Sequence, residues 1–278
     1  MLREFCEKIN FPTDAIDYLV SVQPKVDLDR LQKIGADFLG DKETVTESLA
    51  AEAQRTGLPQ ETVTLFMLIH LFDTVLRAKY AEANLSETLF WENAEDLTYK
   101  LHETYAAKGT WGNSALHWYR KFFDLNCIKL GRLQYEESTW QEEDFPPLKQ
   151  GEQVFKIHIP SSGPLTPESV EESFQRAKKF FKESGLLKTD YIPLSCASWL
   201  IYPPHHDVFP QGGNIQKFQE LFTVVSGYER TKDFVRIFHR DDDGNYDDLP
   251  EDTTLQRNFK KFLQNGGKMG LGRGITFR

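Results

Sequence analysis

Several stretches of this chain carry side chains that could do chemistry. His158 stands near the end of an apolar, strand-like run, residues 154–160. Imidazole titrates near neutrality, so a histidine there can take a proton from an amine nucleophile; it could equally be a surface or packed histidine. Alternation puts Lys156, His158 and Pro160 on one side of that strand and Phe155, Ile157 and Ile159 on the other. The run is followed by Ser161, Ser162 and Gly163, and then by a helix start with Thr166 as N-cap and Pro167 at its first position. Backbone N–H groups at such a start attract anions, so the turn is either a ligand turn or a plain strand-to-helix connection. Tyr135 and Glu136 end an earlier alternating run. Glu136 is either a base or the first member of an acidic rim that continues into Glu137, Glu142, Glu143 and Asp144.

Other candidates read as structural. Cys196 lies inside an apolar strand, where a thiol has neither a base nor an exposed face to make it a nucleophile. His205 and His206, adjacent on an extended segment, point apart and chelate poorly, so an exposed proline-rich loop is expected. Residues 241–247 place oxygens as a calcium loop does, but Tyr246 takes the glycine position and Asp252 the bidentate one, so a β-turn is expected. The glycines at 266, 267, 270, 272 and 274 read as a helix end followed by a tight strand; the alternative is a backbone nest for phosphate.

These residues need elements to hold them. The first ~120 residues carry helical periodicity throughout, with Gly57 and Pro59 separating two helices and Asn84 with Glu87 resembling a capping box. Residues 63–75 show a wide apolar face, as for the central helix of a small bundle. The pattern changes near Phe123. Residues 127–135 alternate as one strand with a bulge or a tight kink at Gly131. After it come a polar loop, the strand–turn–helix–strand unit at 154–201, a helix capped by Asn214, a strand at 234–239, a helix at 255–263 and a last strand near 274–277. The chain therefore reads as α+β: an all-α helical domain (residues 1–122) and an α/β domain (residues 123–278), for which the resemblance described below implies a mixed, mostly antiparallel sheet.

Bulk properties set limits. The 278 residues are 40% hydrophobic and 13% aromatic, enough for a real core. A net charge of −9 without a basic block argues against nucleic acid. Three well-separated cysteines give no metal or redox pair, no metal is expected, and no run is long enough for a membrane span. A cytoplasmic, reducing setting is expected.

The wording at residues 130–136 (LGRLQYE), 158–160 (HIP), 163–167 (GPLTP), 196–200 (CASWL), 214–215 (NI) and 254–257 (TLQR) resembles one bacterial acyltransferase-like family. That family pairs an N-terminal helical N-acyltransferase domain with a GNAT-like C-terminal domain. The resemblance implies an N-acyltransferase that moves an acyl group from acyl-CoA to a small-molecule amine acceptor by direct attack. It places CoA where two parallel strands splay apart, with the pantetheine arm on backbone near Ile157 and Ile159 and the pyrophosphate on Ser161, Ser162 and Gly163. Glu136 or His158 would be the base, and Tyr135 the acid for the leaving thiolate. The chain departs from the family pattern in the turn. It has one glycine there, Pro164 removes a donor, and Glu168, Glu171 and Glu172 would oppose a phosphate charge. The alternative this leaves is a GNAT-derived ligand-binding or interaction protein with a degenerate CoA site.

Overall fold

The computed structural model describes residues 2–278, which fall into two units, one up to residue 129 and one from 130 to 278. In the first unit the helices are α1 (Leu2–Lys8), α2 (Thr13–Val22), α3 (Leu28–Leu39), α4 (Val45–Thr56), α5 (Gln60–Leu71), α6 (Arg77–Glu82), α7 (Glu87–Ala94), α8 (Asp96–Lys108) and α9 (Arg120–Phe123). Helix α5 is the centre of the bundle. Val63, Leu65, Phe66, Met67, Leu68, Ile69 and Leu71 are all buried, so it is apolar all round and not on one stripe. Gly57 ends α4 in the left-handed region and Pro59 leads into α5, as expected. The start of α7 differs from expectation. Ser86 is the cap, its Oγ accepting the Leu89 N–H. Asn84 instead closes α6 with φ 55°. Where this unit ends, Asn93 stands in for a strand: its amide accepts the Lys129 N–H at 2.6 Å and donates to the Lys129 carbonyl at 3.2 Å.

The second unit is built on a six-stranded mixed sheet. Its elements are β1 (Cys127–Leu130), β2 (Leu133–Thr139), β3 (Gln153–His158), α10 (Pro167–Glu183), β4 (Pro193–Ser198), α11 (Asn214–Gln219), β5 (Thr223–Glu229), α12 (Val235–Phe238), α13 (Thr254–Gln264) and β6 (Gly270–Phe277), and the strand order is β1-β2-β3-β4-β6-β5. Residues 127–135 are two strands joined by a turn, not one kinked strand, because Gly131 adopts φ 76° and reverses the chain. Strand β3 runs antiparallel to β2 and parallel to β4; β6 is antiparallel to both β4 and β5.

Two further expectations are corrected. Residues 234–239 form the short helix α12, not a strand. Phe234, Ile237 and Phe238 are buried at i, i+3 and i+4, and the two phenyl rings meet at 4.7 Å, which a strand would hold on separate rungs. The strand belongs at Thr223–Glu229, where Ser226 and Gly227 interrupt the β-branched run. Gly213, not Asn214, is the N-cap of α11.

The glycine-rich tail is a packing device. Gly270, Gly272 and Gly274 lie on one face of β6, and the chain segment Ile201–Tyr202 rests directly on them. A Cβ at Gly272 would lie 2.3 Å from the Ile201 carbonyl oxygen, and one at Gly270 would lie 2.2 Å from the Tyr202 ring. Their backbone pairs with β4 and β5, so no phosphate nest forms.

His205 is fully buried, not in an exposed loop, among the rings of Tyr202, Phe259 and Phe262 at 4.9, 5.0 and 5.7 Å. Both ring nitrogens face carbonyl oxygens, Nδ1 toward Trp199 at 2.8 Å and Nε2 toward Lys268 at 3.3 Å, which favours the cation. Burial outweighs them and holds its pKa below the ordinary 6.5. The sign follows. Above pH 6.5 both folded and unfolded chains hold a neutral ring and the stability is fully present. As pH falls below 6.5 the unfolded chain takes up the proton first, so stability is lost. Thermal melts from pH 7.5 down to 5.5 should show a falling midpoint, with a shallower slope in His205→Leu.

Candidate active site

The register of β2 and β3 decides which candidates meet. Gln134 pairs with His158, Tyr135 with Ile157 and Glu136 with Lys156. Directly opposed residues share a face, so Gln134, Glu136, Lys156 and His158 lie on one side and Tyr135, Phe155 and Ile157 on the other. On the first face the Glu136 Oε2 and His158 Nε2 atoms are 2.7 Å apart. Their side chains are 16% and 26% exposed, enough for a substrate to reach and little enough to keep the pair intact. The two candidate bases form a single dyad.

Tyr135 is on the wrong side for an acid. It is fully buried, and its hydroxyl is 2.8 Å from Ser173 Oγ under α10. Ser173 spends its own proton on the Leu130 carbonyl at 2.6 Å, so the phenol is the donor in that bond. Burial pushes the phenol's pKa up further. The structure therefore separates Tyr135 from Glu136, although they are neighbours in sequence. Tyr135→Phe should cost about 1 kcal/mol of stability in denaturant melts and leave any acyl-transfer rate within about twofold. A large loss of rate at unchanged stability would return Tyr135 to the chemistry.

Beside the dyad the sheet opens. The parallel ladder of β3 and β4 ends at Ile157 with Cys196. Ile157 belongs to that last rung and its side chain is buried, whereas Ile159 lies past it and is half-buried. The next rung brings His158 level with Ala197, which is exposed, and Ala197 pairs with Arg273 on β6. Arg273 is paired with Glu142 from the β2–β3 loop. Cys196 is buried on the opposite face, and burial alone pushes its thiol up to about 12.

The turn at 161–163 is held from a distance. Arg132, in the β1–β2 turn, donates from Nη1 to the Pro160 carbonyl at 2.9 Å and to Ser162 Oγ at 3.1 Å. Its Nε donates to the Pro164 carbonyl at 3.1 Å and its Nη2 to the Gly163 carbonyl at 2.6 Å. Gly163 has φ 120° and open space where a Cβ would be. Thr166 caps α10 through the Ser169 N–H, as expected. Glu168, Glu171 and Glu172 are exposed to solvent, so water and salt screen them from the turn. Sequence reading missed Arg132, Ser173 and the Arg273–Glu142 pair, since each partner lies 28 or more residues away.

The remaining acidic loop is a chain of turns. Asp242 accepts from Gly244 N–H and Asp243 from Asn245 N–H. Among the described residues no three His, Cys, Asp or Glu side chains converge as a metal site requires. No helix is long and apolar enough to cross a membrane.

The N-acyltransferase N-terminal domain matches residues 1–125, and the GNAT-like C-terminal domain matches residues 127–276. The chain belongs to this acyltransferase family. No curated protein sequence matches it significantly. Among solved structures it is similar to an acyltransferase in complex with decanoyl-CoA and teicoplanin, with a TM-score of 0.78 at 18% identity over 99% of this chain and 87% of that one. An acyltransferase mutant in complex with octanoyl-CoA gives the same TM-score at 17% identity and the same coverage. The two domain matches together, and the likeness to the solved acyltransferases, cover both units. The open end of β3 and β4, the only parallel pair among β2–β6, is the place where the family resemblance expects the thioester.

Proposed function

We propose that this GNAT-like chain transfers an acyl group from acyl-CoA to an amine on a small acceptor. The observation that carries this reading is the Glu136–His158 dyad at the mouth of the β3–β4 opening. The thioester would enter where the strands stop pairing, along the backbone at Ile159. The His158 imidazole would take a proton from the attacking amine as its nitrogen bonds the thioester carbon. Glu136 would hold the ring and stabilise the imidazolium, as a carboxylate does for the histidine of a catalytic triad. The C–S bond then breaks, and the thiolate takes up a proton from the imidazolium or from water. Orientation and polarisation of the carbonyl would supply most of the rate, and the base a further factor.

Structural relatives hold C8 and C10 acyl-CoA and a glycopeptide, so octanoyl and decanoyl esters belong in the test panel. The three cysteines are buried and form no disulfide, which suits a reducing cytoplasm. Thermal shift decides binding. A CoA ester at about 100 times its dissociation constant adds ~2.7 kcal/mol of stability. Thiol release on adding amines decides transfer. If no CoA ester from acetyl to dodecanoyl shifts the melt, the reading fails. A shift without thiol release across a broad amine panel would leave a binding protein.

A further inference from the structure

The turn that should receive the cofactor's phosphates lacks the paired glycines that shape such turns. What shapes it here comes from another strand connection. We propose that Arg132 is the positioning residue that presets the 160–165 turn for the pyrophosphate of CoA. This rests on the acyl-CoA reading above.

One guanidinium bonds three carbonyls and one hydroxyl of the turn: those of Pro160, Gly163 and Pro164, and Ser162 Oγ. A trans peptide points its N–H opposite to its C=O. Carbonyls gathered inward on Arg132 therefore turn the N–H groups of Ser161 and Leu165 outward; the third unit, Gly163–Pro164, has no N–H to present. Each inward carbonyl accepts a charge-assisted bond, which polarises its peptide and makes the outward N–H a better donor. Ser162 Oγ accepts from Arg132 and keeps its own proton to donate. The guanidinium adds a positive charge beneath the turn, next to the positive end of the 17-residue α10. Elsewhere in such folds close backbone approach is obtained from glycine. Here a planar five-donor fork does it, and a single ammonium cannot span the same four acceptors.

The test compares two thioesters in the full-length chain, an acyl-CoA and the matching acyl-pantetheine, which lacks the nucleotide and pyrophosphate. In Arg132→Ala the KM for acyl-CoA should rise at least about tenfold, and the KM for acyl-pantetheine should rise less than about twofold. Arg132→Lys should recover only a small part of the loss. Guanidinium chloride at millimolar concentration should restore part of it in the alanine variant and none in the wild type. A merely structural residue would weaken both thioesters alike, and that result overturns the proposal. So does an alanine variant that binds CoA as the wild type does. A wild-type chain that binds no CoA ester sinks the acyl-transfer reading and this proposal together; a binding wild type with an unaffected variant sinks this proposal alone.

Discussion

His158→Ala lowers kcat/KM for acyl transfer by about 10²–10⁴-fold, the range a positioned general base contributes. The loss should fall mainly on kcat, because in the proposed mechanism the imidazole acts on the amine proton and not on the CoA ester. The acidic limb of the pH–rate profile, which reports the base in the free enzyme, disappears with it. Glu136→Gln keeps the hydrogen-bond geometry but removes the charge that supports the imidazolium, so its loss is smaller than that of His158→Ala and runs in the same direction. Thiol-release kinetics across pH measure both. His158→Ala with full activity and an unchanged profile would remove the dyad from the mechanism. Thermal shift by acyl-CoA is the companion measurement: a base that does not bind the cofactor leaves it intact.

Gly272→Ala is the second large effect, on stability. Its new Cβ would lie 2.3 Å from the Ile201 carbonyl oxygen, 2.7 Å from the carbonyl carbon and 2.9 Å from the Tyr202 Cα. All three are backbone atoms and cannot swing aside. Overpacking of this kind costs about 3 kcal/mol, roughly 6–12 °C in melting midpoint for a unit of this size. Gly270→Ala meets only the ring of Tyr202 and should cost less, since a side chain can turn. Equal melting points for Gly272→Ala and the wild type would show that Ile201 and Tyr202 do not rest on β6.

The fold was legible where local chemistry sets it. Thr166 and Pro167 announce α10, the strands at 154–158 and 193–198 are apolar runs between breakers, and the apolar face around residue 66 marks the central helix. Phe234 to His239 misled because alternating and helical spacing look alike over six residues, and the Phe234–Phe238 contact settles the matter only in three dimensions. At the site, His158 and Glu136 were found as separate candidates. Tyr135 and Glu136 are adjacent in sequence, yet adjacent strand residues point to opposite faces. Which of the two looks toward His158 depends on pairing with β3, which a sequence does not display. Arg132 was hidden for a similar reason. It reads as a turn residue, and its partners lie about 30 residues onward.

The β2–β3 loop measures out the catalytic face. Trp140 closes it, its N–H donating to the Glu152 carbonyl and its own carbonyl accepting from Gly151, both at 2.8 Å, with the indole sealed against Leu148, Val154 and Ile275. That clamp acts as a ruler. It fixes how far β2 has slid along β3 when Glu136 arrives beside His158. A slip of one residue would trade every side chain on the strand for its neighbour. The phenol of Tyr135 would then stand at the mouth of the opening and a carboxylate would be buried against Phe155. Which side chain of β2 stands beside His158, as the proposed base's partner, is thus decided four residues away, at Trp140.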